Sequence, residues 1–172
     1  MKRISYFPMI KKRRFLYHLL SLLWVGCSLV SCSTDDEGPD CSLQGTNFSV
    51  SEISGNWTAT EASFFNISTE PIQVVDVVAE GGTVTLSIQS NGRFTLNIAE
   101  SDGSNTRFSG DLCFDEDLLV VRFDGDAADD YEFFRITFNG TNNLTLDGPA
   151  EFDFDDNGTP DPAEISLALV RS

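Results

Sequence analysis

Val84-Thr85-Leu86-Ser87-Ile88-Gln89-Ser90-Asn91-Gly92-Arg93-Phe94-Thr95-Leu96-Asn97-Ile98 is the stretch that decides the fold class. Val84, Leu86 and Ile88 alternate with polar residues, and after Asn91-Gly92 the alternation resumes with Phe94, Leu96 and Ile98. A period of two places successive side chains on opposite faces of an extended strand. Asn-Gly accepts the positive φ angles that a tight hairpin turn requires. The segment therefore predicts two antiparallel strands sharing one apolar face.

The same pattern recurs outward from this hairpin. Residues 108–114 and 118–123 flank Asp115-Glu116-Asp117. Phe134, Ile136 and Phe138 lead through Asn139-Gly140-Thr141-Asn142 to Leu144 and Leu146, and Ile165, Leu167 and Leu169 form a last run. Adding residues 57–64 and 72–79 gives eight or nine strands joined mostly by tight turns. Short connections make neighbours antiparallel, and this many strands around one core close into a barrel or fold into two sheets. The expectation is an all-β domain, an antiparallel eight- or nine-stranded barrel, with a β-sandwich as the alternative. Residues 48–53 alone lean helical, for about one turn.

The first 31 residues differ in kind. Lys2, Arg3, Lys11, Lys12, Arg13 and Arg14 supply six of the chain's 11 basic residues, and no acid precedes Asp35. A mainly apolar run over residues 15–30 follows, short for a membrane span, which needs about 20 apolar residues. A basic region followed by a short apolar one is a secretory signal. The run ends Leu29-Val30-Ser31-Cys32, which resembles the lipobox of bacterial lipoproteins: an apolar residue at −3 and a small one at −1 before the cysteine. The resemblance implies a signal peptide over 1–31 and a diacylglycerol thioether on Cys32. Trp24-Val25-Gly26-Cys27 is a poorer match, with Trp24 at −3. An ordinary signal cut near Ser31, or an uncleaved anchor, is the alternative. Residues 32–46, opening Cys32-Ser33-Thr34-Asp35-Asp36-Glu37-Gly38-Pro39-Asp40, read as a solvated acidic tether. An acidic patch after the lipidated cysteine resembles the surface-export signal of Bacteroidetes lipoproteins. That resemblance implies the outer face of the outer membrane, a periplasmic spacer being the alternative.

Residues 47–172 are then one β domain, and its opening carries a second resemblance. Ile53-Ser54-Gly55-Asn56-Trp57 resembles the Gly-x-Trp that begins the first strand of lipocalins and of lipocalin-like domains in Bacteroidetes lipoproteins. Leu167-Ala168-Leu169-Val170-Arg171 resembles their last strand. The likeness implies that Arg171 lies over Trp57 and closes the barrel floor. With Cys27 lost and Cys32 alkylated, Cys41 and Cys113 remain. In an oxidising compartment they read as one disulfide closing about 70 residues and contributing roughly 3–4 kcal/mol, two separate thiols being the alternative.

Charge and composition narrow the chemistry. Beyond residue 31 five arginines stand against all 27 acids, with neither histidine nor lysine. Such a chain repels nucleic acid and anionic surfaces. Histidine-activated nucleophiles, lysine Schiff bases and histidine-ligated zinc have no residues to build them. Carboxylate chemistry needs a buried acid, and only Asp76 and Asp111 sit among apolar neighbours, where an outward or edge position is the plainer reading. The expectation is a non-catalytic protein.

One segment carries a specific motif. Asp153-Phe154-Asp155-Asp156-Asn157-Gly158-Thr159-Pro160-Asp161-Pro162-Ala163-Glu164 satisfies D-x-[DN]-x-[DN]-G-x5-E. In a calcium loop of that spacing, Asp153, Asp155 and Asn157 offer side-chain oxygens and Thr159 its carbonyl. Asp161 ligates directly or through water, Glu164 is bidentate, and Gly158 permits the sharp turn. Gly148-Pro149 before the motif and the alternation after it predict strands rather than the helices of an EF-hand. An acidic turn held by its own Asx hydrogen bonds is the competing reading. Asp124-Gly125-Asp126 with Asp129-Asp130 is a second, looser cluster.

Together these readings describe a membrane-anchored lipocalin-like lipoprotein that binds a small ligand or an envelope partner and is stabilised by calcium. The alternative is a structural, adhesive or glycan-binding accessory with a self-filled barrel. For glycan binding, Trp57 and Tyr131 are the aromatic candidates, and core is the plainer reading of Trp57.

Overall fold

Asn91-Gly92 does turn the chain. β3 (Thr83–Ile88) and β4 (Arg93–Ala99) pair antiparallel with Leu86 opposite Leu96, and Gly92 takes φ 88°. The computed structural model describes residues 38–155 and 157–172. The signal peptide over 1–31, Cys32 and the first tether residues lie outside them.

From β4 the chain runs as a meander: β5 (Asn105–Asp115), β6 (Leu118–Phe123), β7 (Glu132–Asn139), β8 (Asn143–Phe152) and β9 (Asp161–Arg171), each antiparallel to the one before. β9 then pairs with β1 (Gly55–Asn66), from Trp57 opposite Arg171 to Asn66 opposite Ala163. One sheet thus closes on itself, and the expected barrel forms rather than the sandwich.

β2 (Gln73–Asp76) is the ninth strand, and its place explains the uncertain count. Both β2 and β3 run antiparallel to β1 on one edge, β2 opposite Ser63–Asn66 and β3 opposite Gly55–Thr58. They are two halves of one lane, broken by the turn over residues 77–82. Asp76 holds that break: its Oδ1 accepts the N–H groups of Ala62 (3.1 Å), Val78 (3.0 Å) and Ala79 (3.3 Å). A register shift between Ala59 and Glu61 moves the inward row of β1 from Trp57 and Ala59 to Ala62 and Phe64.

The barrel interior holds aromatic rings at both ends, with aliphatic side chains of the same buried cluster between them. Near the floor, Phe48 meets Phe114 and Phe138 at 5.5 Å each, and Phe138 meets Trp57 edge-on at 6.2 Å. Toward the other end Phe64 stacks on Phe152 at 4.6 Å, and Phe152 meets Phe154 at 5.0 Å. Such pairs contribute about 0.5–1.5 kcal/mol beyond their burial. Gly148 is inward on β8 because an added Cβ there would run into the Phe134 ring.

A short plug covers the floor. Ser49 N–H donates to Glu52 Oε2 at 2.8 Å and starts α1 (Val50–Ile53), whose Val50 and Ile53 are fully buried. Ahead of it, Cys41 and Cys113 form the disulfide, with Cα atoms 5.3 Å apart. Ser42 and Phe114 exchange backbone hydrogen bonds of 2.9 and 2.7 Å. Residues 41–46, expected within the tether, are therefore held to the wall.

Filling of the barrel predicts a cost for enlarging Gly148, whose φ is not one that only glycine favours. Gly148→Ala should lose about 1–3 kcal/mol in chemical denaturation, and Phe134→Leu in the same chain should restore part of it. Unchanged stability of Gly148→Ala would mean unfilled space beside Phe134.

Candidate functional site

The two ends of the barrel differ. Short turns over residues 89–92, 116–117 and 140–142 lie at the end where β1 begins, and that end is covered by α1. The longer connections over 67–72, 100–104, 124–131 and 153–160 gather at the opposite end, the mouth. Loops held by a rigid wall are where binding groups concentrate.

At the floor, Arg171 Cζ stands 4.3 Å from the centroid of the Trp57 ring. Its guanidinium donates to the carbonyls of Thr141 (2.8 Å), Glu52 (2.9 Å) and Ser54. Trp57 is 1% exposed and its Nε1 donates to the Ile53 carbonyl at 2.9 Å. A ring so enclosed is core, the role its sequence position favoured, and offers no stacking platform to a sugar. Tyr131 is half-buried beside β7.

At the mouth, residues 153–160 link β8 to β9. Asp153 is 1% exposed, and its two oxygens accept the N–H groups of Asn157 (3.0 Å) and Gly158 (2.7 Å). Asp155 Oδ1 also accepts from Asn157 (3.2 Å), and Asn157 Oδ1 accepts the Thr159 N–H at 2.8 Å. Asp161 opens β9 opposite Phe152. Glu164 is exposed on the outward row, opposite Phe65 and Pro149, about 10 Å further along the strand. Of the expected calcium ligands, Asp153, Asp155 and Asn157 share one turn with Thr159, and Glu164 stands apart. Among the described residues no three acidic, cysteine or histidine side chains come together to hold a metal ion. The Asp153, Asp155 and Asn157 oxygens accept backbone amides, the arrangement of an Asx turn, and a calcium shell that includes Glu164 would need the loop to rearrange.

In the second acidic cluster Asp124 is occupied. Asp124 receives a fork from Arg93 at 2.9 and 2.7 Å and a bond from Ser109 at 2.6 Å, which hold its carboxyl well below the usual range. Asp111 pairs with Arg93 at 3.2 Å and Arg122 at 3.5 Å. With Asp76 capping a turn, both acids singled out from sequence have structural partners.

Glu132 is the group the sequence reading missed. It begins β7 in phase with the inward Phe134, Ile136 and Phe138, and that phase was a legible signal. Burial pushes its carboxyl up to about 7, with Asp126, Asp130 and Glu151 adding repulsion.

Two depressions stand out. One, of about 230 Å³, lies between the segment 45–48 and the β6–β7 wall. The other, of about 190 Å³, opens at the mouth between Val75, Val77 and the 100–102 turn, above Phe152. Neither is a chamber along the barrel axis, where the aromatic rings lie.

No family model matches the chain, and no curated protein matches it. Among solved structures it is similar to a lipocalin-like protein from Bacteroides uniformis: 12% identity, TM-score 0.40, covering 70% of this chain and 99% of that one. It is similar to an uncharacterized protein from Bacteroides eggerthii at 12% identity and TM-score 0.39, covering 69% and 98%. It is also similar to lobster apocrustacyanin A1, at 16% identity and TM-score 0.40, covering 71% of this chain and 62% of that one.

Two predictions follow the mouth chemistry. Asp153→Ala strands the Asn157 and Gly158 amides and should cost about 1–3 kcal/mol, as much in EDTA as in millimolar Ca²⁺. A calcium-dependent rise in melting temperature that Glu164→Gln removes would instead mean that the loop reorganises around the ion. For Glu132, folding favours the protonated form, because the folded pKa lies above the ordinary 4.5. Its contribution should therefore fall as pH climbs from about 4.5 to about 7 and stay low above. Glu132→Gln should flatten that slope and melt higher than the parent at pH 8; an unchanged slope would contradict it.

Proposed function

We propose that the chain is a non-catalytic binding module of the bacterial envelope, anchored by lipid on Cys32, that meets its partner at the barrel mouth. One observation carries this reading: inward side chains from both ends of the barrel, Trp57 and Phe114 near the floor and Phe64, Phe152 and Phe154 near the mouth, belong to one buried cluster with the aliphatic rows between them, in the place where a barrel could otherwise enclose a small ligand. The self-filled alternative among the sequence readings is therefore preferred to a ligand chamber.

The anchor rests on Leu29-Val30-Ser31-Cys32 and on the acidic stretch that follows, which by resemblance favours the outer membrane and its exterior face. Two or more acyl chains make such anchoring stable, whereas one binds only marginally. The lack of histidine and lysine beyond residue 31 removes the commonest nucleophile activators and favours binding over catalysis.

The reading has a direct cellular test. Cys32→Ser should move the protein from the membrane to the soluble fraction, and Cys27→Ser should not. In cells carrying the anchored form, a photo-crosslinking amino acid at Glu70, beside the mouth, should give discrete adducts with an envelope protein. The same group at Asn91, on the floor, should give none. Adducts at Asn91 as abundant as at Glu70, or retention of Cys32→Ser in the membrane, would overturn it.

A further inference from the structure

The barrel wall is incomplete at one place. Among the described residues β2 is bonded along one edge only, to Ser63–Asn66 of β1, and no strand follows on its other side. The cause lies in strand lengths: the β3–β4 ladder ends at Thr83 opposite Ala99, and the chain then turns at 100–104 into β5. A slot remains between β2 and that turn, and the depression of about 190 Å³ lies in it.

The chemistry of the slot has two parts. Val75, Val77 and Phe152 form an apolar floor, and Glu80, Glu100 and Asp102 bring carboxylates to its side. The Val77 N–H donates to the Ala62 carbonyl at 3.0 Å. Antiparallel pairing alternates, so Val75 also bonds toward β1, whereas the Val74 N–H and C=O point to the open edge. The Val74 side chain is 51% exposed, and Ile72 beside it 58%. An unpaired edge with exposed apolar side chains is a template for one more strand.

Charge decides what that strand carries. A second copy of this chain would bring its own excess of acids, 27 against five arginines beyond residue 31, and be repelled. From this geometry, and resting on the mouth-binding reading above, we infer that β2 accepts an extended basic segment of a partner protein, alternating apolar residues with lysine or arginine. The segment pairs with the Val74 backbone. Its apolar residues lie outward against Val74 and Ile72. Its basic side chain opposite Val75 lays an aliphatic stem over the apolar floor and ends among the carboxylates, the arrangement long cationic side chains favour.

The test uses the full chain in detergent micelles and a fluorescent Val-Lys-Val-Lys-Val-Lys peptide followed by anisotropy. Saturable binding is expected, weakening about tenfold on raising salt to about 0.5 M. A Val-Glu counterpart should not bind. The same Val-Lys peptide N-methylated at alternate residues should lose about tenfold, because it lacks donors for the β2 edge. Val74→Lys, an exposed change that leaves the β1 pairing untouched, should lose as much. Absence of binding at millimolar peptide, or equal binding of the N-methylated form, would overturn the inference. If mouth crosslinks at Glu70 persist in that case, the failure is of the β2 edge alone; loss of both would reject the mouth-binding reading as well.

Discussion

One side chain ties together the floor of this barrel. Arg171 reaches from the last strand across the Trp57 ring and binds three carbonyls, those of Glu52, Ser54 and Thr141. It thereby ties β9 to the entrance of β1, to the plug α1 and to the β7–β8 turn. A cation over an indole contributes about 0.5–2 kcal/mol, the larger figure when it is shielded from water. The planar guanidinium matters as much as its charge, because it stacks and donates in several directions at once. A lysine at this position would keep the charge and lose most of the geometry.

A floor held in this way lets the barrel be packed from the bottom upward. Trp57 is fixed by its bond to Ile53, Phe138 rests against it and Phe48 against Phe138, and a second aromatic group, Phe64, Phe152 and Phe154, packs under the mouth loops. Such packing leaves function to the surface. The mouth combines a buried loop carboxylate, Asp153, with a Glu132 titrating near neutrality and a wall that stops short at β2. The first of these is structural, since both its oxygens hold the loop backbone. The other two are the features on which the proposed binding at the mouth would draw.

Much of the barrel was legible because period-two alternation and turn residues agreed. Asn91-Gly92 marked its hairpin, and the inward rows of β3, β4 and β9 were the ones read from sequence. Where the pattern was uniform the reading failed. Val74, Val75, Val77 and Val78 are all apolar, so alternation could not reveal that β2 and β3 share one lane broken at Asp76. Residues 41–46 are mostly polar and lack a core pattern, and the disulfide, the Ser42 bridge and a Thr46 N–H bond to the Glu116 carbonyl hold them to the wall. The 153–164 motif was ambiguous for a physical reason. Short oxygen-bearing side chains at alternate positions serve an ion and a backbone turn equally well, and sequence does not say which the oxygens face.

The central claim is that the barrel is filled by its own side chains and binds at its mouth. Trp24 and Trp57 are the chain's two tryptophans, so a chain beginning at Cys32 reports on the interior through Trp57 alone. Titration of Trp57 emission with palmitic acid, which would have to lie along the axis, tests the claim most directly. The account predicts no saturable change in intensity or wavelength; a saturable shift at one equivalent would show an interior site and contradict it.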